Sequence, residues 1–181
     1  MDYLNVRNPA LPAQEKQEWL VKNLKEKYTW LFTHRNRADR KDPIYDNDGG
    51  FHHCGFAAGM LGARFFLQFL GLRARRGTIE EWRMWGTIPG QSITTEVKVT
   101  DLGGEWVDLN SDTTSVERDL LGRIWRGTSS GIAHLTANSN HGFQWKDFNP
   151  TIDIVVRLLD RRLCTPAKWK ADWYGVHHPG Q

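Results

Sequence analysis

The amino-acid sequence predicts an α+β fold in which a buried helix headed by Cys54 packs on a small antiparallel sheet. Three observations carry that prediction. Residues from Cys54 to Leu70 are apolar on nearly every side and stop at Gly71, the pattern of a helix that its neighbours cover all round. Ser92 to Thr100 alternates β-branched with polar residues, and Gly103-Gly104 separates it from Glu105-Trp106-Val107-Asp108-Leu109, which together read as a β-hairpin. Amphipathic stretches stand before and after these two pieces. At 181 residues the chain fits one domain, and a composition 39% hydrophobic and 25% charged argues against general disorder.

Taken in order, residues 1–12 carry Pro9 and Pro12 and read as an extended arm. No basic region followed by an apolar run occurs there, so no secretory leader is expected. The globular domain is expected to span 13–165. It opens with a helix from Ala13 to Phe32, where Trp19, Leu20, Leu24, Tyr28, Leu31 and Phe32 recur at helical spacing. Asp42-Pro43 and Asp48-Gly49-Gly50 mark a long loop before the apolar helix. That helix contains Arg64 and many small residues, so it reads as core and not as a membrane span. Its glycines and alanines, Gly55 to Ala63, let other elements approach its first turns.

Leu72 to Gly77 leads into a short strand, and Glu80 to Trp85 fits either a helical turn or a strand edge. Beyond the predicted hairpin, Ser115 to Ile124 reads as a helix. Asn149-Pro150-Thr151 then caps a second helix from Pro150 to Leu163, with Asp153 in its first turn and Arg161 and Arg162 in its last. Residues 166–181 form a tail whose Trp169, Trp173 and Tyr174 need something to pack against. Trp82, Trp85, Trp125 and Trp145 fall in segments where they serve to pin loops.

Several function classes are disfavoured. The formal charge of +3 is spread through mixed-sign segments and forms no dense basic stripe, so nucleic-acid binding is unsupported. The best basic cluster, Arg73, Arg75 and Arg76, follows the apolar helix and suits the negative end of its dipole. Two cysteines do not make a secreted disulfide framework, so an intracellular, reducing location is expected. No cofactor or metal is expected. His52, His53 and Cys54 with His34, His134 or Cys164 lack zinc-ligand spacing, Asp46 to Gly49 lacks the calcium-loop period, and neither Gly49-Gly50 nor Gly103-Gly104 precedes the Lys-Ser or Lys-Thr of a phosphate loop.

A cysteine in the first turn of a helix is chemically pointed, because unpaired amides and the helix dipole favour its thiolate. The bland alternative is a small buried hydrophobe. Cys54 is followed, in order, by Gly71-Leu72-Arg73-Ala74-Arg75, by Thr94-Thr95-Glu96-Val97-Lys98-Val99 and by Glu105-Trp106-Val107-Asp108-Leu109-Asn110. This order resembles the core of the transglutaminase-like branch of papain-type folds, over about Gly50 to Ser111. The resemblance implies that Cys54 matches the nucleophile, and that Glu96-Val97 and Trp106 to Leu109 match the strand signatures.

Two catalytic positions depart from the family pattern. Counting back from Glu96, the histidine falls at Ser92, or at Thr94 with a shifted strand, and the aspartate falls on Asn110. Neither Ser92 nor Thr94 replaces an imidazole as base, although Asn110 is a candidate for orienting one. Among the remaining histidines, His52 and His53 flank Cys54 and point away from it, which leaves His141 as the candidate base. The function expected is a non-catalytic transglutaminase-like domain, a structural or protein-interaction subunit of a larger assembly such as a virion. Its protein partners are expected at the N-terminal arm and the aromatic tail, and no membrane is involved. The alternative is a cysteine-dependent amide acyltransferase or peptidase using Cys54, with the backbone amide of Cys54 helping to hold an oxyanion.

Overall fold

The structure, a computed structural model, describes residues 18, 22–33, 49–81, 98–132 and 145–167. Residues 22–33 form helix α1, whose Leu24, Tyr28, Leu31 and Phe32 are all buried, as their spacing predicts. Helix α2, Gly49–Phe69, lies across it. Gly62 makes the crossing close: a Cβ there would stand 3.0 Å from the Leu31 nitrogen and 3.1 Å from the Lys27 carbonyl. One turn earlier, a Cβ on Gly59 would fall 2.3 Å from the Phe148 ring. The small residues of α2 thus seat α1 on one flank and the last long helix on another.

Two expectations for α2 are corrected. It begins five residues before Cys54, so the cysteine occupies its second turn and does not head it. Nor is the helix enclosed, because Cys54 and Leu61 are exposed two turns apart, and Ala57, Ala58, Arg64, Phe65 and Gln68 between and beyond them are half-buried. On this face Arg64 lays its guanidinium 5.0 Å from the Trp125 ring centre.

Gly71, at φ +81°, ends the helical turn and admits strand β1, Leu72–Arg75, which pairs antiparallel with β2, Thr78–Glu81. The two-residue turn between them holds Arg76 at φ +49° and Gly77 at φ +90°, both positive as a type I′ hairpin requires. Leu72 and Ile79 face the core, and Arg73 stands opposite Glu80 on the outer face. Arg73, Arg75 and Arg76, which follow the helix, belong to this hairpin.

The sheet is accordingly α+β in kind, but it is not where the alternating pattern placed it. Residues 92–97 lie outside the described residues, Val99–Leu102 is a 3-10 turn, and 104–108 is irregular. Gly103 and Gly104 donate back to the carbonyls of Thr100 (3.2 Å) and Val99 (3.1 Å), closing the turn on itself. The Glu105 amide then donates to the Arg162 carbonyl at 2.7 Å instead of to a facing strand.

Asp108 caps the one-turn helix α3, Leu109–Asp112, by accepting from the Asn110 amide. Helix α4, Ser115–Arg126, opens with a capping box between Thr114 and Glu117 and continues as a π-helix over Gly127–Ile132. Helix α5 spans Trp145–Leu159 and continues as a π-helix through Cys164. It starts five residues before Pro150, which sits inside it, so Asn149 is not its cap. The Asp147 side chain in the first turn accepts from Arg123 Nη1 at 2.7 Å, tying that extra turn to α4. Trp125 and Trp145 lie in helices and not in irregular segments. The core is the apolar ground between α1, α2, α4 and α5, with the hairpin laid over α4. The N-terminal arm and the tail from residue 168 lie outside the described residues.

Candidate functional site

The hairpin, α3 and the start of α4 enclose an open groove of about 800 Å³. Its floor is Gly77 of the turn and strand β2. Its far wall is Asp108, Leu109 and Asn110, and its flank is Ser115, Arg118 and Asp119. Local chemistry sets these pieces in place. Glu81 Oε1 accepts from the Leu109 amide at 2.8 Å, so the end of β2 holds the first residue of α3. Arg118, one turn into α4, donates from Nη1 to Asn110 Oδ1 at 3.1 Å and joins α3 to α4 across the groove. At the hairpin end, Arg126 Nη1 donates to the Gly77 carbonyl at 3.1 Å.

Behind α3 lies a charged clamp. The Asp112 side chain is wholly buried and accepts from Arg162 Nε at 2.7 Å, from Arg162 Nη2 at 2.9 Å and from the Asp108 amide at 2.9 Å. Arg161 Nη1 stands 3.2 Å from its other oxygen. Hydrogen bonding to Asp112 raises the Arg162 guanidinium above its ordinary pKa, against a burial that works to lower it. Arg157 adds a bond to the Asp112 carbonyl at 3.1 Å and one to Glu117 at 2.6 Å. This paired buried carboxylate is a fastening, with each donor directed at an acceptor of the chain itself.

Of the residues singled out from the sequence, Asn110 lines the groove and Cys54 is not among the residues that line it. Cys54 is exposed, and as the sixth residue of α2 its N–H falls within the hydrogen-bonded ladder of the helix, past the first four unpaired amides. Cys164 is a second free thiol, so no disulfide joins the two, and its burial, with Asp160 nearby, pushes its pKa up to about 11. His141, Ser92 and Thr94 lie outside the described residues, as do His34 and His134. Among the described residues no group of three or more His, Cys, Asp or Glu side chains is disposed to hold a metal ion. No helix among them is long and apolar enough to cross a membrane.

Sequence reasoning missed Glu81, Arg118 and the clamp of Asp112 with Arg157, Arg161 and Arg162. Local signals for some of them exist: Asp108 and Asp112 stand four apart around a short helix, and Arg157 and Arg161 stand one helical turn apart with Arg162 next to the second. No family model, curated protein or solved structure matches the chain.

Proposed function

We propose that this chain works by binding, as a non-catalytic structural or interaction subunit of a larger protein assembly. The observation that carries the reading is the place of Cys54. Nucleophilic cysteines gain thiolate character from unpaired amides at a helix start, and an acyl intermediate needs such amides for its oxyanion. In the second turn of α2 the Cys54 amide is committed to the helix, so neither service is offered there. Asn110, the candidate orienting residue, spends its side-chain oxygen on Arg118. The transglutaminase-like resemblance enters this proposal as a residue pattern in which Ser92 or Thr94 and Asn110 stand where the family has its histidine and aspartate.

The test is acylation of Cys54 by a thioester donor at neutral pH, in the folded chain and in the same chain unfolded in urea, with adducts located by mass spectrometry. Folded Cys54 is expected to react no faster than the unfolded thiol, and Cys54→Ala to leave the fold intact. Acylation more than about tenfold faster in the folded state would mean an activated nucleophile and would overturn the proposal.

A further inference from the structure

We draw no further inference here: the strongest candidate, the apolar face of α2 on which Cys54 and Leu61 are exposed, carries none because nothing in the structure shows what covers it.

Discussion

Gly71 is held to glycine on two counts. Its φ of +81° lies in the left-handed region, and a Cβ there would fall 2.3 Å from two carbons of the Trp106 indole. Gly71→Ala should therefore lower unfolding free energy by about 2–4 kcal/mol, combining left-handed strain with overpacking, as read from urea denaturation. A loss under about 1 kcal/mol would show that the indole moves aside freely. That the chain turns at Gly71 was legible, since a glycine closing an apolar run is a strong local stop. That Trp106 lies on it was not, because nothing near either residue in sequence refers to the other. Asn110 divides the same way: its nearness to the start of a helix follows from local pattern, its hydrogen bond to Arg118 only from the fold.

Between elements, the fastening of α3 to α5 decides where the groove wall stands. Asp112 is buried without access to water, and Arg162 faces it with two nitrogens. Arg162→Ala would take both of those donors from the carboxylate, leaving it the Asp108 amide and Arg161, and is expected to destabilise the fold by about 3–5 kcal/mol in urea denaturation. Asp112→Asn placed on the same background should restore part of the loss, since a neutral amide is cheaper to leave unpaired than a charge. If the double variant is no more stable than Arg162→Ala, the pair does not act as a buried charge couple. Local signals located α4, where Thr114 and Glu117 spell out a capping box. They misplaced the sheet, because the alternation before Gly103 is a property of one segment, whereas the Glu105 amide is claimed by Arg162, a partner from α5's extension. They also misplaced the start of α5: Asn149-Pro150 resembles a cap, yet the Asp147 to Arg123 bond carries the helix back past it.

Across the whole molecule, Glu117 joins the beginning of α4 to α5 through Arg157. Burial works to raise its pKa, but the hydrogen bond from the Thr114 amide and the charge of Arg157 overcome that, and the carboxyl is held below its ordinary value of 4.5. A lowered folded-state pKa contributes stability that is complete above about pH 4.5 and is lost as pH falls through the folded value. Urea midpoints should thus drop on acidification below pH 4.5, and Glu117→Gln should flatten part of that drop; an unchanged slope in the variant would assign the acid sensitivity elsewhere. At this scale the coarse class, helices around a small antiparallel sheet, was legible from apolar periodicity, while the location of the sheet and the groove beside it required contacts between distant segments.

The bond between the Glu105 amide and the Arg162 carbonyl spans 57 residues, and the side chains of the same two residues meet again at 3.0 Å. During synthesis, therefore, neither this latch nor the seat of Asp112 exists until the ribosome has delivered residue 162. The nascent chain must hold an unfastened central turn and a solvated Asp112 while the residues up to 162 are made, so the latch closes only after the whole segment between its two ends exists.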